Sequence, residues 1–142
     1  IISNLAPYFM HSILTNTRRP DVTFYPNGRI DITARVAKML DLHQGDVIDI
    51  ADNGGLEYLL YIKYRWETLV GNHEAVCRQS KRRSRNFRAY SKRLCYYMFR
   101  FTDRKDEPLR IPAGEVLTYK DYGKMVSLIT RMNITYNTEP HD

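Results

Sequence analysis

From Val22 onward, short runs of alternating apolar and polar residues follow one another, whereas residues 1 to 20 hold no sustained period and end in Arg18-Arg19-Pro20. The first stretch reads as an arm, with one helical turn around Tyr8 to Leu14. Val22-Thr23-Phe24-Tyr25 predicts a strand, Pro26-Asn27-Gly28 a turn, and Ile30-Asp31-Ile32 a half-buried strand, together a tight hairpin. Thr33 is placed to cap a helix of about two turns in which Val36, Met39 and Leu40 share a face. Leu42-His43-Gln44-Gly45-Asp46 ends it. Val47, Ile48 and Ile50 begin the next strand, Asp52-Asn53-Gly54-Gly55 marks a turn, and Leu56 to Tyr64 alternates as a further strand.

After Gly71-Asn72-His73 the order recurs. Glu74 to Arg78 predicts a strand, Gln79 to Ala89 a basic loop, and Ser91 the N-cap of a helix whose Leu94, Cys95, Met98 and Phe101 face a core. Thr102 to Glu107 ends that helix. Leu109 to Pro112, Glu115 to Thr118 and Met125 to Met132 predict strands, with a turn at Lys120-Asp121-Tyr122-Gly123. Around the two helices the halves align at a constant offset of 58, Thr33-Ala34-Arg35-Val36-Ala37 against Ser91-Lys92-Arg93-Leu94-Cys95. The expected fold class is therefore α+β and rich in strand: a small barrel of two strand-helix-strand-strand halves, with internal duplication as the hypothesis to test. An arm over residues 1–21 precedes a single barrel domain over residues 22–142.

Charge changes this picture. The formal net charge is +6 over 142 residues, from 22 Lys and Arg against 16 Asp and Glu. Arg78, Lys81, Arg82, Arg83, Arg85, Arg88, Lys92 and Arg93 form a run of eight cations with no acid among them, and without it the remainder is slightly acidic. That is the electrostatic footprint of a polyanion binder. A solvated, flexible loop is the plainer explanation of the same run. Two cysteines, Cys77 and Cys95, match neither a zinc site nor a disulfide framework, so a reduced, cytoplasmic setting is expected. The sequence has no apolar run long enough to span a bilayer, and Ile1 to Pro7 lacks an initiator Met and the order of a secretory signal, so a trimmed or fragmentary chain is expected.

The segment Gly28-Arg29-Ile30-Asp31-Ile32-Thr33 through Leu40-Asp41-Leu42-His43-Gln44-Gly45-Asp46-Val47-Ile48-Asp49-Ile50 resembles the AbrB-like swapped-hairpin family of DNA-binding regulators and antitoxins. Gly28-Arg29 leading into an apolar strand, Leu40 to Leu42 closing a short helix, and Gly45-Asp46 opening the next strand carry the resemblance. Thr33 stands where the family usually has Pro, and Ala37 where the helix often carries a DNA-contacting Arg. The resemblance implies a swapped-hairpin barrel and a DNA-binding role.

Arg29 at a hairpin exit can reach a phosphate or a guanine edge with paired donors. Phe87 and Tyr90 are interleaved with Arg82, Arg83, Arg85 and Arg88, as where cations hold phosphates and rings stack on bases, although Phe87 reads better as a core anchor. The candidate nucleic-acid-binding residues are Arg29, Arg35, Arg78, Lys81, Arg82, Arg83, Arg85, Arg88, Tyr90, Lys92 and Arg93. For catalysis the inventory is thin. His11, His43, His73 and His141 are scattered, His73-Glu74 would point to opposite faces of a strand, and Asp46, Asp49 and Asp52 read as solvated carboxylates. No enzyme, metal or cofactor is expected. The leading expectation is a DNA-binding transcriptional regulator or accessory factor acting on duplex DNA, in a monomer or homo-oligomer. The alternative is a structural or assembly protein of a phage or mobile element, using the arm and the basic loop.

Overall fold

The computed structural model describes residues 20–54, 57–65 and 75–130. The strands are β1 (Val22–Phe24), β2 (Arg29–Ile32), β3 (Val47–Asp52), β4 (Tyr58–Tyr64), β5 (Ala75–Val76), β6 (Arg78–Gln79), β7 (Phe87–Tyr90), β8 (Leu109–Ile111), β9 (Ala113–Tyr119) and β10 (Gly123–Leu128). Helix α1 (Ala34–Leu40) lies between β2 and β3, and α2 (Lys92–Met98) follows β7 and runs into a 3-10 turn over Phe99–Phe101. The strands form two five-stranded antiparallel sheets, ordered β6-β7-β2-β1-β8 and β5-β3-β4-β10-β9. The fold is α+β and strand-rich, as expected.

The offset of 58 recurs in the elements. It carries β2 onto β7 and α1 onto α2 with no change of boundary at either end. The two strands so related are neighbours, paired from Arg29 with Tyr90 to Ile32 with Phe87, so a local two-fold passes through the middle of their ladder. The first sheet joins the β1–β2 hairpin to the β6–β7 hairpin, and the second joins β3–β4 to β9–β10. Each half thus supplies one hairpin to each sheet. The helices cross over as well: α1 packs against β9 and β10, while Tyr97 of α2 meets Tyr58 of β4 edge-to-face at 6.0 Å.

Period-two alternation explains the core. Val22, Phe24, Ile30, Ile32, Phe87 and Ala89 point inward from the first sheet, and Val36, Ala37 and Leu40 of α1 and Cys95 and Met98 of α2 meet them in one cluster. Each fully buried side chain of this size contributes about 1.5–3 kcal/mol relative to exposure. Asp21, assigned to the arm by the sequence pattern, is buried and already part of the body, where its N–H donates to Ile111 O. The rest of the arm, residues 1–19, lies outside the described residues.

Several local expectations need correction. The halves hold more strand than strand-helix-strand-strand, because Arg78–Gln79 and Phe87–Tyr90 pair as a hairpin where a loop from Gln79 to Ala89 was expected. The predicted strand Glu74 to Arg78 is instead two short ones that break at Cys77. There the N–H donates to Asp46 O and the carbonyl accepts from Gly45 N, both at 2.8 Å, and Gly45 sits at φ +93° as only glycine does easily. Thr33 occupies the N-cap position of α1 but makes no cap bond, and its buried Oγ1 has no partner among the described residues, while the first N–H of the helix, that of Ala34, donates to Asn86 Oδ1 at 2.8 Å. Ser91 caps α2 as expected, accepting from Leu94 N at 3.1 Å. Tyr58, Leu59 and Leu60 are buried in succession, so β4 does not alternate, lying between β3 and β10 at the centre of its sheet.

Candidate nucleic-acid interface

The alternation that sends Ile30, Ile32, Phe87 and Ala89 inward sends Arg29, Asp31, Arg88 and Tyr90 outward. Cross-strand register then lines up a row over the whole first sheet: Arg78 opposite Arg88, Arg88 opposite Asp31, Asp31 opposite Thr23, and Thr23 opposite Arg110. Arg29 and Tyr90 face each other in the adjacent row. Four arginines from β6, β7, β2 and β8 therefore share a face with one carboxylate.

Asp31 organises the centre of that face. Its Oδ2 accepts from Arg29 Nη2 at 2.9 Å, and its Oδ1 accepts from Arg29 Nε at 3.2 Å and Arg88 Nε at 3.1 Å. The Arg29 guanidinium also stacks 4.1 Å from the Tyr25 ring centroid. The hydrogen bonds to Asp31, ahead of burial acting the other way, raise the Arg29 pKa above its ordinary value, so the group is permanently charged and fixed in direction. Arg78 and Arg110 make no ion pair among the described residues. Tyr90 is 57% exposed and Phe87 is in the core, which bears out Phe87 as an anchor.

The β6–β7 hairpin carries the remaining cations at its tip. Ser80 N donates to Asn86 O at 2.9 Å to close it, and Ser84 N donates to Lys81 O at 3.0 Å around Arg83, held at φ +65°. A left-handed non-glycine residue costs about 1–2 kcal/mol, met here by the bonds around it. Gln79 Nε2 donates to Ser84 O at 3.0 Å, Asn86 N donates to Ser84 Oγ at 3.0 Å, and Gln79 N donates to Gln44 Oε1 at 3.1 Å. With Asn86 also capping α1, the tip is a docked turn and not the open loop that a run of like charge suggested. Lys81, Arg82, Arg83 and Arg85 are exposed on it.

The candidate residues thus divide. Arg29, Arg78, Arg88 and Tyr90 share the sheet face, and Lys81, Arg82, Arg83 and Arg85 project from the adjoining tip. Lys92 lies beside Gly28, so close that a Cβ on Gly28 would meet Lys92 Cγ at 2.9 Å. Arg93 lines a cleft against β3 instead. Arg35 is committed elsewhere: its Nη1 donates at 2.9 Å to the buried Asp21 Oδ2, which also accepts from Ala113 N at 2.8 Å. Sequence reasoning missed Arg110. The triplet Leu109-Arg110-Ile111 alternates as an edge strand should, but only the pairing of β8 with β1 reveals which face it joins.

Asp46 was read as solvated and is not, being fully buried, with Oδ2 accepting from His43 N at 2.7 Å and Arg65 Nη1 at 3.0 Å. Asp49 and Asp52 are spent on Tyr hydroxyls, Tyr61 at 3.4 Å and Tyr97 at 2.8 Å. His43 Nδ1 lies 3.0 Å from Asp41 O, and His11, His73, Glu74 and His141 lie outside the described residues. Burial pushes the Cys77 thiol up to about 12, with Asp46 adding to the shift, and Cys95 up to about 11, so neither is a ready nucleophile. Among the described residues no group of three His, Cys, Asp or Glu side chains could hold a metal ion, and no helix is long and apolar enough to cross a membrane. Comparison with protein-family models, with curated proteins and with solved structures finds no match to this chain.

Proposed function

We propose that this protein binds double-stranded DNA through the outer face of the β6-β7-β2-β1-β8 sheet and the adjoining β6–β7 hairpin tip, and acts as a transcriptional regulator or accessory factor. The observation that carries this is the convergence of Arg78, Arg88, Arg29 and Arg110, from four different strands, on one face beside the four tip cations. Arginines fixed in direction hold phosphates with paired donors, and a two-stranded β-ribbon fits the major groove. Tyr25 and Tyr90 add rings at the level of the cations. In this proposal the two sheets are walls of one swapped-hairpin barrel of the AbrB-like kind. Supporting it are the exchange of hairpins and helices between halves and the sheet-to-sheet crossings at Cys77 and Pro112.

Salt titration on a random duplex tests the proposal. If Lys81, Arg82, Arg83 and Arg85 each neutralise a phosphate, the log–log slope is about −3.6 or steeper, and replacing all four by Ala flattens it by about that amount. Unchanged affinity and slope in the fourfold variant would overturn it. Large DNA-independent assemblies on gel filtration would point instead to the structural or assembly protein.

A further inference from the structure

A cleft of about 550 Å³ lies between β3 and α2, within the span of about 300–1,000 Å³ common to small-molecule sites. No residue of the outer sheet face lines it. Its apolar floor includes Ile48 and Leu94, and its rim carries Lys63, Arg93 and Arg100 with two tyrosines, Tyr96 and Tyr97. Arg93, Tyr96 and Tyr97 fall at i, i+3 and i+4 on α2, and Arg100 follows in the 3-10 turn, so that a cation, two rings and a second cation line the same cleft. Among the described residues the one acid lining the cleft, Asp49, already has both oxygens engaged, Oδ1 by Ile50 N at 2.7 Å and Oδ2 by Tyr61 Oη.

The other half of the molecule supplies a comparison. At the offset of 58, the counterparts of Tyr96, Tyr97 and Arg100 are Lys38, Met39 and Leu42, whereas the capping position and the buried apolar pairs recur in kind. A helix in this setting therefore does not require the tyrosines. Tyr96 is 82% exposed, more than any other large apolar or aromatic side chain among the described residues. Arg100 is held over Tyr97 at 4.0 Å from its centroid and donates Nε to Tyr97 O at 3.0 Å, so its guanidinium is fixed at the rim. Arg93 makes no ion pair among the described residues, unlike its counterpart Arg35.

We infer that this cleft binds an aromatic base carrying a phosphate, with the base against the Tyr96 ring and the phosphate held by Arg93 and Arg100. Ring faces stack any base, and paired cations at the rim hold its phosphate. Two sources share this chemistry, a free nucleotide and an unstacked nucleotide of a single strand. Calorimetric titration of the full chain with AMP, with inorganic phosphate and with a short single-stranded oligonucleotide separates them. Saturable AMP binding is expected, weakened about tenfold or more by Tyr96→Ala and lost in Arg93→Ala/Arg100→Ala. Affinity and salt slope on duplex DNA stay unchanged in Tyr96→Ala, which keeps this inference separable from the duplex-binding face. An oligonucleotide that displaces AMP identifies the strand as the source, and one that does not identifies the free nucleotide. Absence of binding to both, AMP affinity unchanged in Tyr96→Ala, or inorganic phosphate competing as well as AMP overturns it.

Discussion

Asp31→Asn should make the protein bind duplex DNA more tightly, although it removes a group that holds two arginines in place. Asp31 is the single acid in a row that otherwise presents Arg78, Arg88 and Arg110, and its side chain is 31% exposed, so its charge faces any polyanion laid across the sheet. The side chains of Arg29 and Arg88 are 29% and 35% exposed, which limits each ion pair to about 0.5 kcal/mol after screening. The substitution therefore costs about 1 kcal/mol of stability, or about 2–6 °C in melting temperature for a domain of this size. Against that, one added net charge releases about 0.9 further counterions, which is a gain of about eightfold at 0.1 M salt if the binding curves converge near 1 M. Fluorescence anisotropy on a random duplex at several salt concentrations, with circular dichroism to show that the variant is folded, measures both effects. A folded Asp31→Asn protein that binds no more tightly, with the same slope, would refute the placement of DNA on this face.

Arg35→Ala should lose about 1–3 kcal/mol in urea denaturation, because Asp21 is left buried with only the Ala113 N–H, while the salt slope on duplex DNA is unchanged. Leu40→Ala should cost about 2–5 kcal/mol and Leu94→Ala clearly less in the same assay, since Leu40 is fully enclosed and Leu94 borders the cleft. The Cys77 thiol is raised to about 12 by burial, so its neutral form stabilises the fold below the unfolded value near 9, and that contribution is lost as pH rises from there toward 12. Alkaline denaturation should therefore have a shallower limb in Cys77→Ala, and neither thiol of the native protein should react with an aromatic disulfide reagent at pH 8.

The parts of the fold that were legible in the sequence are those governed by local periodicity. Ile30-Asp31-Ile32 and the turn at Pro26-Asn27-Gly28 stand where the pattern put them, and of the expected helix faces Val36, Leu40, Cys95 and Met98 are buried while Met39, Leu94 and Phe101 are only partly so. What failed was local chemistry overruled from a distance. Thr33 is a sound N-cap by type, yet its Oγ1 makes no cap bond, and the first N–H of the helix is met by Asn86, far along the chain. Asp46 looked solvated beside Gly45, yet Arg65 and the His43 N–H meet it inside the body. Charge likewise hid structure: a run of cations lowers any strand expectation, and the pairing of Arg78 and Gln79 with Arg88 and Phe87 exists because Phe87 and Ala89 are needed in the core.

The candidate site shows the same limit more sharply, since nearness in sequence and nearness in space part company within the basic run. Between Arg78 and Arg93 the backbone passes through a two-residue strand, a tight turn, a second strand and a helix, each with its own rule for where side chains go. Period two sends Arg88 to the outer face and Ala89 to the core, the helical turn carries Arg93 round to the cleft, and Arg110 arrives on the outer face from a distant strand. The internal repeat then separates what the fold needs from what it leaves open. Both helices keep a hydroxyl at the cap and buried apolar side chains on one stripe, because each must close the same kind of gap over a sheet. Arg35 and Arg93 also share a register position, but Arg35 is taken by the buried Asp21 while Arg93 stands at the rim beside Tyr96. A position kept in both halves but engaged by the core in only one is where binding chemistry can be added at little cost to folding, and in this chain Arg93 on α2 is such a position.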